Sequence, residues 1–242
     1  MVPSQLNSKH LCALAMHLKM RLFAVLVLVA VTLDALAFVQ PTRADSNETP
    51  PYLTSPLRTD AEPIHVRLSG RDYYIPANYF DAVINAGVDQ RDILLVALLP
   101  SLEPRTRENW DEFMKVPGFG RRVHLLVEAL DRPEIGLQAA LQASEYMWGP
   151  FETTGSANGL ERSDPAGIGR FRKRREMFIN RTNSTLETLI VCTRDGDFRK
   201  PSCEQYFMAG VLRIKATYAK QFLPTWRAIQ ETVVALLQRY QH

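Results

Sequence analysis

The residues able to carry chemistry are few and scattered. The 242-residue chain has five histidines and three cysteines. HExxH, G-x-S-x-G, Ser-x-x-Lys, the phosphate-binding P-loop and GxGxxG are all absent from it. His65 and His124 each alternate with apolar neighbours, as residues on a strand do, and nothing beside them supplies a nucleophile or an orienting group. They read as surface or satisfied sheet residues. Asp195-Gly196-Asp197 offers two carboxylates, but the remaining positions of a calcium-binding loop are missing, and a turn is the simpler reading. No metal-ligand set and no cofactor motif is present, so neither is expected.

Cys192 and Cys203 are the other reactive pair, and their chemistry depends on compartment. Their spacing is too long for a redox CxxC pair, and no histidine lies near enough in sequence to complete a zinc set. The loop between them holds the turn formers Asp195, Gly196, Pro201 and Ser202. In an exported protein an even pair reads as a structural disulfide, stabilising by roughly 2–3 kcal/mol through the constrained unfolded chain.

Export is what the N-terminus predicts. Lys19 and Arg21 precede an uncharged run from Leu22 to Leu33, and Ala35 and Ala37 follow at the two positions read by a signal peptidase. Residues 1–40 are therefore expected to be a signal peptide or a signal anchor. A membrane span needs about 20 apolar residues. Residues 22–39 reach that length only if Asp34 is tolerated near the interface and the helix continues through Phe38 and Val39. A start at Met16 gives a conventional signal, so residues 1–15 read as an over-long start. Cys12 precedes the apolar run instead of closing it, and is not a lipoprotein cysteine. The expected location is the periplasm, either soluble after cleavage or held to the inner membrane by residues 22–39.

The formal net charge is +3. The leader holds Lys9, Lys19 and Arg21 against Asp34, so the remaining body is close to neutral. A dedicated nucleic-acid binder would carry a strong basic excess, and nucleic acid is excluded as a partner on that ground. The densest charge run is Arg170, Arg172, Lys173, Arg174 and Arg175. Such a run is ordinarily a solvated segment. Its sharper reading is a contact for an acidic protein surface or an anionic headgroup. Acidic residues between Glu103 and Glu112 offer an internal alternative. Three sequons, at Asn47, Asn180 and Asn183, matter only in a eukaryotic host.

The elements that must position these residues follow from periodicity. Residues 41–63 contain five prolines among small polar residues and predict an extended, disordered tether. The body is expected to be one domain over 64–242. Residues 64–68 alternate as a strand, 69–72 form a turn, and 73–75 return as the second strand of a hairpin. Pro76 opens a short helix over 77–84. The continuous apolar run 93–99 predicts a central strand. Residues 121–130 read as a strand from the alternation of Val123, Leu125 and Val127, although Val123, Leu126, Val127 and Leu130 also fit a helix. Residues 137–148 fit a helix. Residues 149–169, rich in Gly, Ser, Pro and Asp, show no period and read as a long loop. Residues 186–192 and 206–214 predict strands flanking the cysteine loop. Leu223, Trp226, Ile229, Val233, Leu236 and Tyr240 define an amphipathic C-terminal helix opened by Pro224. The predicted fold class is α+β: a mixed or antiparallel sheet with a few packed helices, after the N-terminal segment.

Several segments carry a resemblance: 74–79 (YIPANY), 98–106 (LLPSLEPRT) with Asn109, 118–122 (GFGRR), Cys192 with 201–203 (PSC), and 223–229 (LPTWRAI). Together they resemble a group of uncharacterised exported proteins of proteobacteria, some of which are similar to immunity proteins that block a periplasmic toxin. None is a catalytic motif, so the resemblance implies fold and location and assigns no functional residue. Three functions compete. The first is a non-enzymatic periplasmic binding protein, immunity-like, with a protein partner. The second is an envelope hydrolase using paired carboxylates without a readable motif. The third is a membrane-anchored structural component of the envelope.

Overall fold

The computed structural model describes residues 58–81, 86–115, 120–166, 174–196 and 200–242. The leader, most of the tether, and Arg170, Arg172 and Lys173 of the basic run lie outside the described residues. Among those described, no helix is long and apolar enough to cross a membrane.

The fold is α+β. β1 (Pro63–Leu68) and β2 (Arg71–Pro76) form the expected hairpin, and β3 (Asp89–Gln90) adds to β1 in parallel. The second sheet has eight antiparallel strands. They are β4 (Asp92–Leu98), β5 (Arg122–Ala129), β6 (Phe151–Ala157), β7 (Leu160–Pro165), β8 (Arg175–Thr182), β9 (Thr185–Thr193), β10 (Ser202–Ala209) and β11 (Leu212–Ala219). Their spatial order is β4-β5-β11-β10-β9-β8-β7-β6. Among the described residues, three α-helices accompany them: α1 (Trp110–Met114), α2 (Gly136–Trp148) and α3 (Trp226–Tyr240).

Alternation along the strands divides the large sheet into two faces. On the front, Ile93, Leu95, Val123, Val127, Ile214, Phe207 and Ile190 join Ile229, Val233 and Leu237 of α3 and Val66, Leu68 and Ile75 of the small sheet in one core. On the back, α2 sets Ala140 and Leu141 against Met177, Ile179, Leu189 and Val191. Phe113 of α1 packs on Val96 and Leu98 at the other side of that face. The prediction for α3 holds: its apolar stripe is its buried face, including Trp226, Ile229, Val233, Leu236 and Leu237.

Four expectations are corrected. The apolar run 93–99 is not a central strand. β4 is the terminal strand of the sheet, and its residues are buried because the small sheet covers one face and Phe113 the other. Isolated bridges Phe80↔Leu95 and Leu98↔Glu103 cover its outer edge. The loop expected at 149–169 is a hairpin, β6–β7, as far as the described residues run. Most of β6 is exposed on both faces, so burial imposes no apolar period on it. Its turn is Asn158-Gly159, with φ of 55° and 74°, the left-handed pair that a tight hairpin requires. The strand read over 206–214 is two strands, turned at Gly210-Val211 where Gly210 has φ 63°. The helix read over 77–84 begins as a single 3₁₀ turn, Ala77–Tyr79. That turn stops at Phe80, whose extended backbone bridges to β4, and residues 82–84 of the expected helix lie outside the described residues.

Candidate interaction surface

Cys192 and Cys203 are cross-strand partners on β9 and β10 and form a disulfide, with Cα atoms 4.0 Å apart. The bond sits in the front core. Beside it lies a cluster of charges that sequence reading did not find. Glu176, the neighbour of Cys192 on β8, has a side chain only 6% exposed. Its two oxygens meet the Lys220 ammonium and, at 3.2 Å, Arg162 Nη2. Lys220 also donates to Asp195 Oδ2 at 2.8 Å. Arg194 Nη2 donates to Asp164 Oδ1 at 2.6 Å, and Arg162 lies 3.6 Å from the same oxygen. Three cations and three carboxylates are thus paired among themselves. The charges of the cluster balance, and the buried Glu176 carboxylate is paired.

The part of the basic run that is described is also engaged. The Arg175 guanidinium lies 4.5 Å from the ring centre of Trp148, the last residue of α2. Burial lowers its pKa and the Glu204 carboxylate opposes that. The Arg174 carbonyl accepts from the Arg194 amide at 2.9 Å. These two residues fix the start of β8. The signal that led to the run was charge density alone, which cannot distinguish a strand end from a docking patch.

His65 and His124 both lie on strands. His65 Nε2 lies 2.8 Å from Asp72 Oδ1 across the β1–β2 hairpin, and its ring stacks on Tyr74 at 4.8 Å. His124 sits on the back of β5. Burial, with Arg122 and Arg105 nearby and Asp81 opposing, holds its pKa below the ordinary value. Among the described residues, no group of three or more His, Cys, Asp or Glu is placed to hold a metal ion.

Among the described residues, clefts open on both faces of the sheet. The first, about 280 Å³, lies between the far ends of β8 and β9 and the start of α3. Asn180, Glu187, Trp226, Arg227, Gln230 and Glu231 line it. Asn180 Nδ2 donates to Glu187 at 3.0 Å, and Thr188 Oγ1 to Gln230 at 2.9 Å. The second, about 190 Å³, lies on the back between α2 and strands β5, β10 and β11. Ala139, Ala143 and Met147 form its helical wall; Leu126, Tyr206 and Lys215 form its floor. Arg213 closes one end, held by Glu128 through two bonds of 2.9 and 3.0 Å and by its own bond to the Gly136 carbonyl at 3.1 Å. Burial, with Glu204 alongside, raises the Tyr206 phenol pKa, and its hydroxyl donates to Glu204 at 2.8 Å. Met147 and Tyr146 stand 60% and 91% exposed at the C-terminal end of the wall.

This fold has a counterpart among solved structures. An immunity protein of the Stenotrophomonas maltophilia type IV secretion system superposes with a TM-score of 0.59 at 18% identity, over 78% of this chain and 99% of that one. The iron-regulated outer membrane lipoprotein FrpD of Neisseria meningitidis superposes with a TM-score of 0.49 at 12% identity, over 77% and 95%. No protein-family profile matches the sequence, and no curated protein matches it. The likeness to the immunity protein is one of fold.

Proposed function

We propose that this chain is an exported, non-enzymatic binding protein of the bacterial envelope, acting on a protein partner as an immunity protein acts on a toxin. The observation that carries this reading is the fold, which takes in nearly the whole length of a solved immunity protein. The disulfide supports the compartment, because such bonds persist where the surroundings are oxidising. In this reading residues 1–40 deliver the chain to the periplasm, residues 41–63 are a tether, and residues 64–242 form the binding domain.

The test is biological. Deletion of the gene should leave cells open to killing by their siblings or by a toxin encoded beside it. Expression of the full chain should restore protection. Purified protein should bind that toxin directly, with one partner recovered reproducibly from envelope extract. Unimpaired survival of the deletion strain, with no toxin gene in the neighbourhood, would end the immunity reading. Intact mass of the protein recovered from cells decides whether residues 1–37 are removed.

A further inference from the structure

Cross-strand register places a single charge in an otherwise uncharged row across the middle of the back face. Leu94, Leu126, Lys215, Tyr206, Leu189 and Ile179 lie side by side on β4, β5, β11, β10, β9 and β8. Lys215 is half-buried. The two carboxylates on neighbouring strands within reach of its row are already engaged: Glu128 by Arg213, and Glu204 by the Tyr206 hydroxyl. Among the described residues, several other half-buried cations have carboxylate partners. Arg121 meets Glu103, Arg162 and Lys220 meet Glu176, Arg194 meets Asp164, and Arg213 meets Glu128. Lys215 has no carboxylate within ion-pair distance there. Water must reach its ammonium, because an isolated buried charge is costly. Its opening to water is the cleft beside α2.

That cleft is shaped for an insert. Ala139 and Ala143 present almost no side chain, so another chain can approach the helix closely. Met147, which lines it, is exposed, and Tyr146, the preceding residue of α2, is exposed as well. Methionine and tyrosine are the adaptable and the rigid residues that interfaces favour. A cation on the floor with an apolar rim is complementary to a carboxylate carried between apolar side chains.

We infer that the cleft between α2 and strands β5, β10 and β11 is the docking site for a protein partner, which inserts an Asp or Glu side chain flanked by apolar residues to pair with Lys215. This rests on the protein-binding reading above and names the surface and the chemistry of the partner.

The test uses the full chain and a phage-displayed library of random dodecamer peptides. Selected peptides should be enriched in Asp or Glu next to apolar residues, and should shift the amide resonances of Ala139, Ala143 and Lys215. Lys215→Glu should weaken them by about tenfold or more, while Lys215→Arg retains them. Glu231→Lys, in the other cleft, should leave them unchanged. Matching thermal melts of the variants exclude unfolding as the cause. Failure to enrich any peptide, enrichment without acidic residues, or equal binding by Lys215→Glu overturns the inference. So does Lys215-dependent binding to anionic lipid vesicles in place of peptide. The broader reading fails separately. If the wild-type chain protects cells and Lys215→Glu protects equally, this site falls and the immunity reading stands. If the wild-type chain gives no protection, the immunity reading falls whatever the peptides do.

Discussion

The two faces of the eight-stranded sheet treat polar groups differently. On the front, beneath α3, buried polar side chains have partners within the chain. Gln205 accepts from the Tyr218 hydroxyl at 2.8 Å and donates to the Trp226 carbonyl at 3.1 Å. Glu176 holds two cations. On the back, α1 and α2 cover the two sides and leave the strip over β5 and β11 less covered, and Lys215 there has no carboxylate partner among the described residues. A satisfied network serves cohesion, whereas an unsatisfied one is available to something else.

Four measurements break or sharpen that contrast. Glu176→Ala should be the most damaging. It removes the buried carboxylate that Lys220 and Arg162 share beside the disulfide, leaving them only Asp195 and Asp164, and urea unfolding should show a loss of about 3 kcal/mol. Gln205→Leu should come next, at about 2 kcal/mol, because it leaves the buried Tyr218 hydroxyl without its acceptor and removes the side-chain bond to the Trp226 carbonyl. The back face should respond mainly to pH. His124 is held below its ordinary pKa by burial, with Arg122 and Arg105 adding to the effect and Asp81 opposing it. The unfolded chain therefore binds that proton more readily than the folded one. Its contribution is present above about pH 6.5 and is lost as the pH falls below that. His124→Gln should flatten the decline of stability between about pH 6.5 and pH 5, read from urea midpoints. Lys215→Ala should change stability least, by under about 0.5 kcal/mol. A loss as large as that of Gln205→Leu would mean that Lys215 is structural, and the contrast between the faces would disappear.

Some of this was legible in the chain. The alternation of Val66 and Leu68, then Tyr73 and Ile75, reads directly as a half-buried hairpin, and all four side chains are buried. The stripe on α3 is equally plain. β4 misled because a continuous apolar run reports burial on two faces, which a terminal strand acquires when other elements cover it. β6 carries no apolar period because solvent meets both its faces; the readable mark was the dipeptide Asn158-Gly159. The charge cluster had no motif. Arg162, Asp164, Glu176, Arg194, Asp195 and Lys220 come from separate stretches, and only strand pairing gathers them. For Lys215, the alternation from Leu212 to Tyr218 shows that it points away from the core. Nothing in that pattern shows that α2 would stand beside it, or that Glu128 and Glu204 would be taken by other groups.

Strand order also has a consequence in time. β5 pairs with β4 early in the chain, but its other neighbour is β11, with Val127 opposite Ile214. A chain that folds as it emerges N-terminus first would therefore carry an open apolar edge on β5 until β11 had followed. Loop closure over such a separation is slow, and an unpaired edge invites association with other chains. The β8–β9 and β9–β10 hairpins can form locally before that closure. The last strand and α3 then complete the core together, so loss of the C-terminal segment would remove the closing step of folding along with a helix.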